Sequence, residues 1–181
     1  MQCCQKVRIM MSKVKVEQAS QEEYPAIKRL RLEALQDDPS NFGMSFEEES
    51  LLSDDQFKKR FFDEKRLTLV ARKDDEIVGM CNIVFRPEIK LRHIAEVYAI
   101  YVHPKHRSQG IGNAIMKECI RVIRERPHII KARLGVIGDN THARSLYEKF
   151  GFRVVGTLKK ELYVHRHFFD EVEMELFFDE E

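Results

Sequence analysis

The stretch Glu96-Val-Tyr-Ala-Ile-Tyr-Val-His-Pro-Lys-His-Arg-Ser-Gln-Gly-Ile-Gly112 carries the strongest structural signal in this chain. Its first seven residues are mostly β-branched, apolar and aromatic, which is typical of a buried strand. A turn with a proline and a glycine-punctuated loop follow, and apolar residues then recur at helical spacing. Backbone N–H groups at the start of such a helix lack internal partners and lie at the positive end of its dipole. The stretch therefore predicts an anion site built mainly from main chain.

The glycine spacing by itself is a weak signal. Gly110-Ile-Gly112 is not a dinucleotide fingerprint, because Ile115 stands where a third glycine is required. It is not a nucleotide phosphate loop either, because no Gly-Lys-Ser/Thr follows. The pattern Arg107-x-x-Gly110-x-Gly112, directly after a strand that contains a glutamate, is more specific. This segment resembles motif A of the GCN5-related N-acetyltransferases (GNAT), which bind acetyl-CoA.

A second segment, residues 140–152, resembles motif B of the same family: Asn, then Ala, then Leu-Tyr, then Gly-Phe. Asn140 suits a helix N-cap and Gly151 a left-handed residue after the helix. Hydrophobic periodicity from Val14 to Leu176 predicts the order β-α-α-β-β-β-α-β-α-β-β, with residues 41–55 as a loop. The resemblance implies an α/β (α+β) fold. Its mixed, mostly antiparallel sheet of six to seven strands is flanked by about four helices and splayed at the central strands.

Size and composition indicate one globular domain. The chain has 181 residues and a formal net charge of +1, which argues against nucleic acid as a partner. We expect residues 1–12 to be a disordered extension and residues 13–181 to form a single N-acetyltransferase domain. No apolar window is long enough for a membrane span, so no membrane partner is expected. The four cysteines lack zinc-ligand or Cys-x-x-Cys spacing, which favours a reduced, cytoplasmic protein.

The resemblance implies acetyl-CoA as co-substrate and assigns residues to it. The N–H groups of Arg107 to Asn113 would hold the pyrophosphate, and residues 100–102 would line the pantetheine, with the Val102 N–H facing the thioester oxygen. Asn140 would contact the pantetheine arm. Arg144 and Lys149 would meet the adenosine phosphate, or are simply solvated helix cations. The full set is Ile100, Tyr101, Val102, Arg107, Ser108, Gln109, Gly110, Ile111, Gly112, Asn113, Asn140, Arg144 and Lys149; Ser108 stands where the family often has glycine.

Acetylation of an amine needs a base to deprotonate it and is helped by an acid that protonates the leaving thiolate. Glu96 is the candidate base, because the resemblance puts a glutamate at the matching place. In a regular strand it would share one face with residues 98, 100 and 102. A buried carboxylate either has a raised pKa, which suits a base acting through water, or finds partners as a structural group. Tyr147 is the candidate acid, by its match to the motif B tyrosine, or else one more core aromatic.

The acceptor region is predicted between Asp37 and Asp55. The resemblance makes Phe42, Ser45 and Glu48 candidates for the acceptor pocket. Seven acids in this region indicate either a cationic acceptor, such as a polyamine or aminoglycoside, or a solvated loop. The histidine pairs at 103/106 and 165/167 lack metal-ligand geometry, so no metal is expected.

The leading hypothesis is an acetyl-CoA-dependent N-acetyltransferase. It would move an acetyl group to a primary amine of a small cationic amine, an antibiotic or a peptide by direct attack. The alternative is a non-catalytic acyl-CoA-binding module on the same fold. A DNA-binding α/β protein is disfavoured by the near-neutral charge and the lack of a basic recognition helix. The C-terminal strands are candidates for the edge of a homodimer.

Overall fold

The computed structural model of the protein describes residues 14–178. The predicted disordered extension, with Cys3 and Cys4, lies outside these residues. The strands are β1 (Lys15–Gln18), β2 (Arg66–Lys73), β3 (Glu76–Phe85), β4 (Ile94–Val102), β5 (Lys131–Ile137), β6 (Arg153–Val164) and β7 (His167–Phe177). The α-helices are α1 (Tyr24–Asp37), α2 (Phe46–Ser50), α3 (Asp54–Phe61), α4 (Ile111–Arg124) and α5 (Thr141–Lys149).

The seven strands form one sheet in the order β1-β2-β3-β4-β5-β7-β6. Neighbouring strands are antiparallel except β4 and β5, which are parallel. These two pair only between residues 94–96 and 131–133, so β4 and β5 diverge beyond Glu96. The predicted fold class, including the splayed central strands, is confirmed. The predicted loop over residues 41–55 is wrong in part, because it contains the short helix α2.

The hydrophobic core occupies both faces of the sheet. Helix α4 covers one face, and its apolar stripe recurs at the three- and four-residue spacing of an amphipathic helix; the buried members are Ile111, Ile115, Met116, Cys119, Val122 and Ile123. Helices α1 and α3 cover the other face, where Ile27, Leu30, Phe57 and Phe61 pack against Val70, Met80 and Tyr101. The sheet is therefore held between two helical layers, and its open central strands lie between them.

A bulge interrupts β4 in the middle of the sheet. Ala99 and Ile100 together lie opposite a single residue of β3, and Ala99 has a φ of 52°. The bulge reverses the side-chain alternation. Glu96 and Tyr98 consequently face the α1 side, whereas Ile100 and Val102 pack toward α4. The prediction that these four side chains share one face is wrong, because it assumed a regular strand.

The edge strand β6 exposes apolar side chains, among them Val155 and Tyr163. The homodimer edge at the C-terminal strands stays a prediction, as does the cytoplasmic location. None of the helices within residues 14–178 has the length and apolar character needed to span a bilayer.

Candidate active site

A cleft of about 1550 Å³ lies where β4 and β5 separate. Residues 96–102 form one wall and residues 133–137 the other. The cleft extends from the loop after β4, next to α5, to the charged residues around Glu96. Side chains from the segment between α1 and α2 cover part of it. The divergence of two parallel strands thus creates an opening in the centre of the sheet.

The loop after β4 presents a row of free backbone donors. The N–H groups of residues 108–113 donate no hydrogen bond within residues 14–178, and the first helical bond runs from the Ala114 N–H to the Gly110 carbonyl at 3.0 Å. Ser108 and Gly110 have φ values of 60° and 79°, so the serine adopts the left-handed conformation that glycine often supplies. The Arg107 N–H instead donates to the Pro104 carbonyl at 3.2 Å. The predicted anion site therefore comprises six N–H groups, not seven.

Glycine is required at positions 110 and 112 for different structural reasons. A Cβ on Gly110 would meet no atom within 4 Å, so its positive φ is what requires glycine. A Cβ on Gly112 would lie 3.2 Å from Cδ2 of Leu146 on α5. Gly112 thus lets α5 approach the start of α4 and places the two helices side by side at the cleft.

The predicted charged cofactor residues differ in what they can reach. Arg107 lines the cleft, but its Nε donates to the Val102 carbonyl at 3.0 Å and its Nη2 to Asp38 at 2.7 Å. Lys149 lines the cleft and donates to Asn113 Oδ1 at 2.8 Å, at the end of the donor row. Lys149 is therefore the side-chain cation best placed for a phosphate, while Arg107 ties the loop to the end of α1.

Two of the predicted cofactor residues point elsewhere. Arg144 pairs with Glu148 at 2.9 Å and does not line the cleft. The side chain of Gln109 accepts a hydrogen bond from Lys73 at 2.8 Å, on the outer side of the loop. Neither side chain is placed to contact a molecule in the cleft, so only the N–H of Gln109 belongs to the candidate site.

Residues 100–102, which are predicted to contact pantetheine, all line the cleft. The His103 N–H donates to the Val78 carbonyl of β3 at 2.9 Å. Neighbouring residues of a strand direct their N–H groups to opposite edges, so the Val102 N–H faces the gap beside β5. The Tyr101 hydroxyl donates to Asp37 at 2.7 Å, and burial and this bond raise the pKa of Tyr101.

Asn140 caps α5 and also joins two parts of the cleft. Its Oδ1 accepts from the Ala143 N–H at 3.0 Å, which is the predicted N-cap bond. Its Nδ2 donates to Asn41 Oδ1 at 2.9 Å. The side-chain amide is thereby oriented at the cleft wall, with one N–H left over for another acceptor.

Glu96 is buried, with 4% of its surface exposed, and is held by charged partners. Its Oε1 accepts from Arg133 Nε at 2.8 Å, and its Oε2 accepts from the Tyr98 hydroxyl at 2.8 Å and from Arg86 at 3.4 Å. Burial alone would raise the pKa of Glu96, but the bonds from Arg133 and Tyr98 and the two positive charges outweigh it, so this pKa is lowered. Glu96 is thus a partnered carboxylate and not one with a raised pKa.

Tyr147 lies on α5 with its ring in the core and its edge at the cleft. The residue is 6% exposed and packs near Phe152, with a ring-centroid separation of 6.3 Å. Burial raises the pKa of Tyr147, and the nearby Cys81 and Cys119 add to this. Its hydroxyl makes no hydrogen bond to any group of residues 14–178. It is therefore a neutral, uncommitted proton donor at the cleft.

The predicted acceptor residues separate into two groups. Phe42 lines the cleft, 6.4 Å from the Tyr101 ring and under the Arg31 guanidinium, which lies 4.5 Å from its centroid. Ser45 and Glu48 do not line the cleft. They form the capping box of α2, with the Glu48 N–H donating to Ser45 Oγ at 3.2 Å. The Ser-x-x-Glu spacing in the sequence was the available signal for this local role.

The structure brings in residues that the sequence did not indicate. The cleft is also lined by Arg133 on β5, Glu171 and Glu173 on β7, and Asn82 on β3. The acids of β7 alternate with apolar residues, a pattern that indicates a solvated strand face. They reach the cleft only because β7 pairs with β5, a register that one sequence does not reveal. Within residues 14–178, no group of three or more His, Cys, Asp or Glu is arranged to hold a metal ion.

The sequence comparisons assign the chain to a class. The family model described as "Acetyltransferase (GNAT) family" matches residues 25–152, so the chain belongs to the GNAT family of acetyltransferases and is an N-acetyltransferase. A curated relative, the L-amino acid N-acetyltransferase AaaT of Escherichia coli strain K12, is 30% identical over 109 residues, which cover 60% of this chain and 67% of AaaT.

Solved structures share the fold over nearly the whole chain. A GNAT acetyltransferase from Streptococcus pneumoniae has a TM-score of 0.81 at 21% identity and covers 92% of this chain and 100% of its own. The acetyltransferase yncA from Salmonella typhimurium, solved with its cofactor acetyl-CoA, has a TM-score of 0.80 at 18% identity and covers 93% of this chain and 95% of its own.

Proposed function

We propose that this protein transfers the acetyl group of acetyl-CoA to the primary amine of a small or peptidic acceptor by direct attack. The observation that carries the proposal is the row of six free N–H groups, residues 108–113, at one end of an open cleft in the sheet. Such a row at a helix N-terminus suits a pyrophosphate. The name of AaaT, which refers to L-amino acids, makes amino acids the first acceptors to test, ahead of polyamines and aminoglycosides.

The cleft residues suit the rest of the co-substrate. The pantetheine would lie in the gap between β4 and β5, where the Val102 N–H points and where Asn140 has an N–H to donate. An extended chain beside an open strand edge is held in the way of an added strand. The N–H of Val102 would then donate to the thioester oxygen, where negative charge develops during attack.

The side chains suggest roles for Tyr147 and Glu96. We infer that the Tyr147 hydroxyl protonates the leaving thiolate, since it is neutral, lines the cleft and has no competing partner within residues 14–178. The contacts of Glu96 argue less for the water-mediated base and more for a positioning role. Its carboxylate holds Arg133 and Tyr98 at the cleft, and its lowered pKa weakens it as a base.

Turnover tests the proposal directly. Thiol release from acetyl-CoA would be followed with the twenty L-amino acids, spermidine, kanamycin and an alanine-initial peptide, and cofactor binding would be followed by calorimetry. We expect at least one amine to be acetylated. Binding of acetyl-CoA without turnover on any amine would support the non-catalytic acyl-CoA-binding module instead.

The proposed acid makes a separate prediction. Tyr147→Phe should lower kcat by about 10²-fold or more, the usual contribution of a general acid, while the affinity for CoA stays the same. Tyr163→Phe is a matched control, because Tyr163 is 63% exposed on the β6–β7 hairpin. An unchanged kcat for Tyr147→Phe would remove this role.

A further inference from the structure

The floor of the cleft on the α1 side carries a carboxylate that the mechanism above does not use. On β5, Arg133 and Gly135 face this side, and on β7 so do Glu171 and Glu173, because Gly135 pairs with Glu173 and Ile137 with Glu171. Both glutamates line the cleft. Since β4 pairs with β5 only as far as Arg133, Gly135 lies where the sheet opens.

Glu171 lies across the backbone of Gly135. A Cβ built on Gly135 would overlap the Glu171 carboxylate, with 2.8 Å to its Cδ and 3.2 Å to its Cγ. Real Cβ contacts are not that short, so a side chain at position 135 would displace this carboxylate. Glycine here therefore creates a notch that seats the Glu171 carboxylate beside the opening where the thioester is proposed to lie.

Within residues 14–178, neither Glu171 nor Glu173 has a hydrogen-bond or ion-pair partner, whereas two other carboxylates of this region do. Glu96 is bound by Arg133, and Glu175 by Lys131 at 2.6 Å. Glu171 has no hydrogen bond or ion pair to any group of residues 14–178. Burial raises the pKa of Glu171, and the negative charges of Glu173 and Glu161 raise it further. A half-buried carboxylate kept without a cation is a place for a cationic ligand or for a proton.

A second polar group in the same cleft also lacks a hydrogen-bond donor. Asn82, on β3, is only 3% exposed and lines the cleft. Its Nδ2 donates to Thr68 at 2.9 Å, but its Oδ1 is buried without a partner within residues 14–178. Buried acceptors are normally satisfied, so the Asn82 Oδ1 is an unsatisfied polar atom in the wall of the cleft.

We propose that Glu171 is the catalytic carboxylate that binds the ammonium group of the acceptor and takes its proton. This inference rests on the N-acetyltransferase function proposed above, and it assigns the base to β7 instead of β4. The acceptor is accordingly a primary amine that is protonated in solution and enters from the α1 side of the sheet.

The Glu171 carboxylate takes one proton from R–NH₃⁺, which leaves a neutral nitrogen with a lone pair. That lone pair forms the N–C bond to the thioester carbonyl carbon, and the C–S bond breaks with its electron pair going to sulfur. The thiolate takes a proton from the Tyr147 hydroxyl, and the second proton that the nitrogen loses restores that hydroxyl. The proton on Glu171 then passes to solvent, so one proton is released per acetyl group.

The test is the pH dependence of acetylation by the purified 181-residue protein with the fastest acceptor of the amine panel. For the wild type we expect kcat/KM to fall on the acidic side, at a pH above the ordinary glutamate value of 4.5, because the raised pKa belongs to a group needed in its ionised form. Glu171→Gln should lower kcat by about 10²-fold and abolish this acidic limb, with CoA affinity unchanged. Gly135→Ala should lower kcat in the same direction by displacing the carboxylate.

Two control variants and one alternative acceptor test whether the effect is specific to Glu171. Glu175→Gln, on the same strand face but outside the cleft, should keep the wild-type rate and acidic limb. Glu173→Gln removes the same charge from the same wall and should raise KM while the limb remains. Hydroxylamine, which is mostly unprotonated at neutral pH, should be acetylated with a much smaller loss in Glu171→Gln, because its nitrogen needs no deprotonation before it attacks.

The outcomes separate the inference from the function on which it rests. Turnover by Glu171→Gln at the wild-type rate with the acidic limb intact would overturn the inference and leave the N-acetyltransferase in place. The same holds if Glu96→Gln, and not Glu171→Gln, abolishes the limb. Absence of turnover by the wild type with every amine would remove the proposed function itself. A melting temperature for Glu171→Gln at or above the wild-type value would confirm that its loss of rate is not a loss of folding.

Discussion

The ion pair between Arg31 and Glu49 makes the sharpest prediction about stability. Arg31 Nε and Nη2 donate to the two oxygens of Glu49 at 3.0 and 3.2 Å, and the side chains are 6% and 0% exposed. Glu49 is the one buried residue of α2, so this pair is what fixes the short helix to α1. Replacing Glu49 with glutamine keeps the shape and leaves a buried, uncompensated guanidinium.

The magnitude follows from the geometry. Two unit charges 3.0 Å apart attract by about 5–6 kcal/mol at an effective dielectric constant of about 20. Part of this gain is offset by the desolvation of both groups, and breaking a buried pair by removing one partner costs about 3–5 kcal/mol. We therefore expect Glu49→Gln to lower the free energy of unfolding by about 3–5 kcal/mol, a large share of the about 5–15 kcal/mol typical of a domain.

Urea unfolding followed by circular dichroism measures this loss. Arg31→Met should lose a similar amount, and the double variant Arg31→Met/Glu49→Leu should lose less than either single variant, because no charge is then left unpaired. Glu47→Gln, at an exposed position of the same helix, is the control and should stay within about 0.5 kcal/mol of the wild type. A loss below about 1 kcal/mol for Glu49→Gln would refute the reasoning, since it would mean that water reaches the pair.

Two further predictions concern the glycine-containing loop after β4 and the buried carboxylate of Glu96. Gly110→Ala forces an L-residue into a φ of 79°, which costs about 1–2 kcal/mol. Calorimetry should therefore show about 5- to 30-fold weaker CoA binding, whereas Gly156→Ala, at an equally open site with an ordinary φ, should leave CoA binding unchanged. Equal CoA affinities of the two variants would contradict the anion site. The lowered pKa of Glu96 means that its stabilising contribution is present above the ordinary value of 4.5 and is lost as the pH falls through its folded value. Urea midpoints measured across acidic pH should therefore fall less steeply for Glu96→Gln than for the wild type, and parallel curves would be evidence against the Arg133 pair.

Local patterns in the sequence were sufficient for the order of the seven strands and of helices α1, α3, α4 and α5, but not for α2. Alternation marked the strands, and the three- and four-residue spacing marked α4, because each of these signals depends only on neighbours in the chain. The sequence places a serine at position 108, where the family often has glycine, and the structure shows that this serine nevertheless adopts a left-handed φ of 60°. These features do not depend on which strand pairs with which.

The charged partners in the cleft depend on pairing and could not be predicted in this way. Glu96 and Arg133 are 37 positions apart and meet because β4 pairs with β5. The bulge at Ala99 is a mismatch between two strands and is not visible in either one alone. Glu171 belongs to a strand whose alternating acids resemble a solvated face, and only the insertion of β7 between β5 and β6 turns that face into the cleft.

The narrow junction between β4 and β5 also affects how the whole molecule holds together. Three residue pairs connect a four-stranded half of the sheet to a three-stranded half. A molecule that fills the gap contacts both halves of the sheet. It therefore links the two halves in addition to taking part in the reaction. At a concentration a hundred times its dissociation constant, such a ligand adds about 2.7 kcal/mol to the stability of the fold. In a cell, the lifetime of this enzyme would then follow the supply of its acyl donor.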